Sequence, residues 1–278
     1  MQAVASILIG LVQGISEWLP ISSKTQVLVA SQYLLGLTYS QAYTFGLFME
    51  IGTTFAAIIY FRREIWALIQ VILGSKDTMK RKLFVYVVVA TAATGIIGVP
   101  LYLIADSLTN VPIGIPMMII GLVLIGDAVF IRYSRKKHSQ SANTRKFSDM
   151  KRRDYVIIGI CQGIAALPGV SRSGITTSAL LLLNFEADEA FRLSFLIGVF
   201  ASIAAFGLTL IASKTNVAVA LMSIGYVGTG IAIVTSAVVS LFLIDFLIKI
   251  ASRSKIVYFA AALGIIALAG GIFLTVGI

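Results

Sequence analysis

Among 278 residues there is one cysteine, Cys161, and one histidine, His138, and charged side chains make up only 12%. The lone cysteine excludes an intrachain disulfide and any cysteine-built metal site. The lone histidine lies in the most basic stretch of the chain, which removes the commonest general base from any site inside a membrane. What is abundant is apolar: 58% of residues are hydrophobic, and mean hydropathy is +0.97. A soluble domain is about half apolar and a quarter charged, and one core of this size could not hide the excess. Apolar runs long enough to cross a bilayer recur throughout, so the chain reads as an all-α polytopic membrane protein, a single membrane domain over 1–278. Met1–Gly10 lacks a basic n-region and a following cleavage site, so it is expected to belong to the mature protein.

Basic residues outnumber acidic ones 22 to 12. Eighteen of the 22 fall into three clusters: Arg62–Lys82, Arg132–Arg153 and Lys249–Lys255. Each borders an apolar span, as cytoplasmic loops do, so topology and not nucleic-acid binding accounts for the charge. Membrane lipids are the expected surroundings.

With those loops inside, Lys82–Ala105 and Ile113–Ile131 form one pair of crossings around Asp106–Pro112, and Phe191–Ala212 with the long Val217–Ile248 run forms another. Tyr43–Phe61 and Ile256–Ile278 bring the count to six. Between Asp154 and Phe191 lie only Tyr155–Pro168 and Ile175–Phe185, 14 and 11 residues, short of the ~20 that a crossing needs. They are expected to form a re-entrant hairpin turning at Pro168–Ser173. Met1–Leu19 and Val27–Leu37, joined by Pro20–Lys24, have the same shape but enter from the outer face. The result is six transmembrane helices plus two re-entrant hairpins, with both termini outside the cell membrane. Glu64–Gly74 reads as an interfacial helix, and Gly225, Gly228 and Gly230 as either a kink or close helix packing, with packing favoured.

The two hairpins resemble each other. Gly10-Leu11-Val12-Gln13-Gly14-Ile15 matches Gly159-Ile160-Cys161-Gln162-Gly163-Ile164 at an offset of 149, Leu19–Thr25 matches Leu167–Ser173 at 148, and Phe45…Gly52 matches Phe191…Gly198 at 146. Halves starting at 1 and at about 150 on opposite sides of a membrane form an inverted repeat, and broken helices at matching positions mark a midplane binding site.

Irregular backbone at membrane depth is tolerated only inside protein or around a wet cavity. The tips offer Gln13, Glu17, Ser22, Ser23, Lys24, Thr25 and Gln26 from one side, and Gln162, Ser171, Arg172, Ser173, Thr176 and Thr177 from the other. Each runs from a proline turn through hydroxyls into a helix N-terminus, a cradle for phosphate. Lys24 and Arg172 share one repeat position, which would set a cation on each side of one cavity. The plainer reading is that Glu17 neutralises a buried cation for structural reasons, but the surrounding hydroxyls and amides exceed what one pair requires. Glu50 faces the same cavity or lies near the membrane edge. Asp127 and Asp245 are expected at the inner interface, and Trp18 in packing.

Gln13-Gly14-Ile15-Ser16-Glu17-Trp18-Leu19-Pro20-Ile21-Ser22-Ser23 and Pro168-Gly169-Val170-Ser171-Arg172-Ser173-Gly174-Ile175-Thr176 together resemble the two signature motifs of the undecaprenyl-diphosphate phosphatase family, the bacitracin-resistance type. The resemblance runs over essentially the whole chain. It implies a re-entrant inverted-repeat fold and removal of one phosphate from a polyprenyl diphosphate, aided by Mg²⁺ or another divalent cation. By position, Glu17 corresponds to the family's essential acid and possible metal ligand, Arg172 to its diphosphate-binding arginine and Ser23 to a proposed nucleophile or ligand. Gln13, Ser22, Lys24, Thr25, Gln26, Ser171, Ser173 and Thr176 complete the expected substrate contacts. The first motif departs from the pattern: Gln13 stands where the family usually has Glu, and Thr25-Gln26 where it has Gly-His.

Two functions are therefore open. A phosphatase would clamp the diphosphate with Arg172 and Lys24 and use Ser23 and Glu17 for the chemistry. A carrier would bind a polyprenyl phosphate by the same groups and move it without cleavage, a reading that inverted repeats and the altered motif favour. A homo-oligomer is compatible with either.

Overall fold

The computed structural model describes residues 2–106, 114–140, 144–251 and 256–276. Among these the chain is helical throughout, apart from turns, one 3₁₀ turn and an isolated bridge between Arg145 and Phe185. The first hairpin is α1 (Gln2–Ser16) and α2 (Ser23–Leu35). At 1.5 Å per residue each arm reaches only about 20 Å, well short of the ~30 Å hydrocarbon layer. Then follow α3 (Tyr39–Tyr60), α4 (Arg62–Ile72), α5 (Thr78–Asp106) and α6 (Gly114–Ser139). The second hairpin is α7 (Arg152–Ile164) and α8 (Arg172–Leu182), followed by α9 (Ala187–Ala212), α10 (Lys214–Ile224), α11 (Tyr226–Ala251) and α12 (Ile256–Val276).

Five helices, α3, α5, α6, α9 and part of α11, are long and apolar enough to cross a membrane. The 21 residues of α12, none of them charged, supply the sixth apolar helix. Helix α4 occupies the stretch expected to lie at the interface, with Trp66 exposed and Leu68 buried. Of the expected outer link Asp106–Pro112, residues 107–112 lie outside the described residues, as do Arg253 and Lys255 of the third basic cluster.

The Val217–Ile248 run is not one span. It divides at Gly225, whose φ of 76° is a left-handed conformation that ends α10 before α11 begins. Nothing approaches within 4 Å of the position a Cβ would take at Gly225 or Gly230, so Gly225 turns the chain and neither packs, contrary to the favoured reading; Gly228 does pack, against Ser6 and Ile224.

The repeated glycines explain why the hairpins sit where they do. A Cβ on Gly10 or Gly14 would strike the backbone of α11 at Ala232 or Ser236, and one on Gly159 or Gly163 would strike α5 at Ala90 or Thr94. A glycine every four residues lets two helix backbones approach closely. The first arm of each hairpin thus packs on the fifth helix of the other half, while α3 packs on α9 and α6 on α12. The α6–α12 contact is antiparallel, with Gly114 against Gly271 and Gly121 against Gly264. Apolar side chains form one cluster around Trp18, Tyr86 and Phe195, and a second around Tyr43, Phe45 and Tyr102. The polar tips lie between the two.

Candidate active site

One helical turn separates Gln13 from Glu17, so both face the same way as α1 ends. Gln13 Nε2 donates to Glu17 Oε2 at 2.9 Å and to Thr53 Oγ1 at 3.3 Å. The chain then reverses through Pro20, which has no N–H to continue a helix, and through Ser22. A φ of 59° at Ser22 is unusual for a residue with a side chain, and costs about 1–3 kcal/mol where the surroundings enforce it. That turn aims Ser23 back at α1: its hydroxyl donates to Glu17 Oε2 at 2.6 Å. Gln13, Glu17 and Ser23 are all buried.

Arg172, the first residue of α8, crosses to the first hairpin. Its guanidinium donates to Glu17 Oε1, to Glu50 Oε2 at 3.1 Å, to the Gly198 carbonyl at 3.1 Å and to Ser202 Oγ. Ser202 in turn donates to Glu50 Oε2 at 2.7 Å. Two carboxylates therefore share one arginine, a geometry in which removing the cation would strand both. The guanidinium lies against Gly198, where an added Cβ would meet it in ordinary van der Waals contact at 3.5 Å.

Lys24 enters the same region from α2. Its ammonium donates to the carbonyl of Ala165 in the second hairpin, and an ammonium has three donors. Lys24, Glu50 and Arg172 line one cavity of about 120 Å³ whose remaining wall is mainly small and apolar, with Gly95, Gly98 and Ala204 along α5 and α9. It lies beside the later halves of α5 and α9, away from the basic loops. Behind Glu17, on the basic side, only about 20 Å³ remains, bounded by Trp18 and Phe195, whose rings meet edge to face at 5.4 Å.

The other hydroxyls mostly hold the tips. Ser22 and Thr25 share a hydrogen bond of 2.9 Å, and Thr25 Oγ1 accepts from the Gly169 N–H at 2.8 Å across the two hairpins. Ser171 caps α8 by accepting from Gly174 N–H at 3.1 Å, Ser173 donates to the Leu19 carbonyl, and Thr176 donates to the Arg172 carbonyl and bonds Ser194. Gln26 turns back to the Ile21 carbonyl at 3.0 Å and stands apart from the acid–arginine cluster.

Glu50 faces the cavity. Asp127 is buried instead of interfacial, because its Oδ2 accepts the Ser171 backbone N–H at 3.0 Å just ahead of α8. Asp245 is exposed and pairs with Lys249. Ser202, Ser194 and Thr53 were missed. The first two, with Gly198, recur every four residues along α9 and mark one small, polar face of an otherwise apolar helix.

Residues 6–269 match the family described as "Bacitracin resistance protein BacA". The chain belongs to that family. The BacA relatives include a protein named undecaprenyl-diphosphatase in Saccharolobus islandicus, 49% identical over 90% of this chain and 89% of its own length. Another of that name in Saccharolobus solfataricus is 47% identical over 96% and 94%. A third, in Pyrobaculum islandicum, is 39% identical over 98% and 97%. The cluster around Arg172 is thus built on a BacA chain whose first motif carries Gln13 and Gln26.

Proposed function

We propose that this chain is an integral membrane phosphatase that hydrolyses a polyprenyl diphosphate of the undecaprenyl-diphosphate type to the monophosphate and phosphate. One observation carries the reading: a largely apolar cavity ends on Lys24 and Arg172, and Arg172 bonds the buried Glu17 that accepts the Ser23 hydroxyl. The small-residue wall suits an isoprenoid chain, and the charged end suits its diphosphate. In this reading the head group sits in the outer half of the cell membrane, with both termini on that side, and the cavity's separation from the basic loops supports it. The exchanged packing of α1 on α11 and α7 on α5 supports halves that start at 1 and at about 150.

The terminal phosphoryl group is held by Lys24 and by Arg172, which gives up part of its carboxylate contacts to do so. Glu17 takes the Ser23 proton as Oγ attacks the terminal phosphorus, the bridging P–O bond breaks, and Glu17 passes that proton to the departing prenyl monophosphate. Glu17 then takes a proton from water as the water attacks the phosphoserine, and returns it to Ser23 Oγ as the P–Oγ bond breaks and phosphate leaves. Positioning and charge neutralisation do most of the work of phosphoryl transfer.

Glu17, Glu50, Lys24 and Arg172 sum to zero charge, so a diphosphate brings negative charge that the protein does not offset. Gln13 Oε1 is buried without a hydrogen-bond partner beside Glu17, and such oxygens suit Mg²⁺. Glu17 and Gln13 would hold the ion, which supplies charge neutralisation. Among the described residues no group of three or more His, Cys, Asp or Glu side chains could hold a metal, so the remaining ligands would be substrate and water.

The test is phosphate release from C15–C55 prenyl diphosphates by the purified protein, with and without Mg²⁺, against Glu17→Gln and Arg172→Ala. Release by the parent that both variants lose is expected. Saturable binding without release would replace the phosphatase with the carrier.

A further inference from the structure

At the basic end of the molecule, another concavity of about 470 Å³ lies between the last turns of α6 and the starts of α9 and α12. Arg132, Arg135, Lys136 and His138 line it, and among its described lining residues none is acidic. The positive-inside rule accounts for basic residues here, but not for their convergence on a hollow. Arg135 and His138 are half-buried, and His138 Nδ1 is buried with no hydrogen-bond partner. Of the acids at the start of α9, none lines the hollow. Glu189 accepts the Phe147 N–H, Glu186 lies 4.0 Å from Lys146, and Asp188 faces a separate hollow with Arg192.

The floor is apolar, formed by buried Leu181, Phe191 and Val257. At the rim, Arg132 donates to Tyr258 Oη at 3.1 Å and lies 5.5 Å from the centre of that ring. Beyond the rim the lipid-facing surfaces of α6 and α12 continue with exposed Val129, Leu122, Phe259 and Ile266. A small soluble anion would use the cations and leave that apolar continuation unused. A phospholipid uses both, its phosphate among the cations and its chains along α6 and α12, as in other basic pockets between helices at the cytoplasmic surface.

The geometry points to an anionic-phospholipid site on the inner face, formed by Arg132, Arg135, Lys136 and His138 and separate from the substrate cavity. Native mass spectrometry of the full-length protein in detergent tests it, with dioleoyl phosphatidylglycerol, dioleoyl phosphatidylcholine and inorganic phosphate as probes. The parent should retain phosphatidylglycerol in preference to phosphatidylcholine, and inorganic phosphate should not displace it. The double variant Arg132→Gln/Lys136→Gln should weaken retention on the order of 30-fold, given roughly a factor of five per cation. The exposed pair Arg152→Gln/Arg153→Gln, on the same face outside the hollow, should retain the lipid as the parent does. Should the double variant prove unstable, the single variants Lys136→Gln and His138→Gln carry the same comparison. Equal weakening by the hollow and control variants, equal retention of the two lipids, or displacement by inorganic phosphate would each overturn the site.

Discussion

The two hairpin tips come from matching segments, yet they divide the work. The first ends in the groups to which the proposed reaction assigns the chemistry: Ser23 on Glu17, and Lys24 with one hydrogen bond to a carbonyl. In the second, Ser171, Ser173 and Thr176 bond the protein itself, and Arg172 engages two carboxylates, a carbonyl and a hydroxyl. Two cations meet at one cavity, and their unequal partners make Arg172 a structural keystone while Lys24 is held by one carbonyl.

Arg172→Ala should separate the tips most sharply. It leaves Glu17 and Glu50 buried without their cation, so unfolding should become easier by about 3–5 kcal/mol, with phosphate release lost; thermal unfolding and a release assay read both. Glu17→Gln should lower release by about 10²–10⁴ yet shift the unfolding midpoint less, because Arg172 keeps Glu50. Equal destabilisation by the two variants would erase the distinction between keystone and chemistry. Lys24→Gln should raise KM by about tenfold or more, the worth of a hydrogen bond to a charged group, with kcat falling less than in Glu17→Gln; a collapse of kcat alone would move Lys24 into the chemical step. Ser171→Ala should cost about 1 kcal/mol of stability through the lost cap and leave turnover near that of the parent. The smallest effect belongs to Gln26→Ala, because Gln26 only closes back on the Ile21 carbonyl.

Much of the site was legible because polar residues are costly at membrane depth and so stand out. Glu17, Ser23, Lys24 and Arg172 announce themselves against apolar runs. Glu50 was legible as an acid but not as a partner of Arg172, since nothing along α3 tells which neighbour its face will meet. Ser202 and Asp127 were harder still. The hydroxyl is unremarkable in an apolar helix, and the aspartate stands four residues before Ile131, where an interface is the natural expectation.

By itself the sequence determined the solvent, the six apolar helices, the short hairpins and the clustering of the basic residues between them, because hydropathy, length and charge act locally and add along the chain. Only the tertiary structure decided the helix break at Gly225, the withdrawal of Gln26, and the sharing of Arg172 between Glu17 and Glu50. Those depend on how each helix is rotated about its axis and how deep it sits against the next. An apolar helix packed among other helices and lipid carries little in its own pattern to settle either.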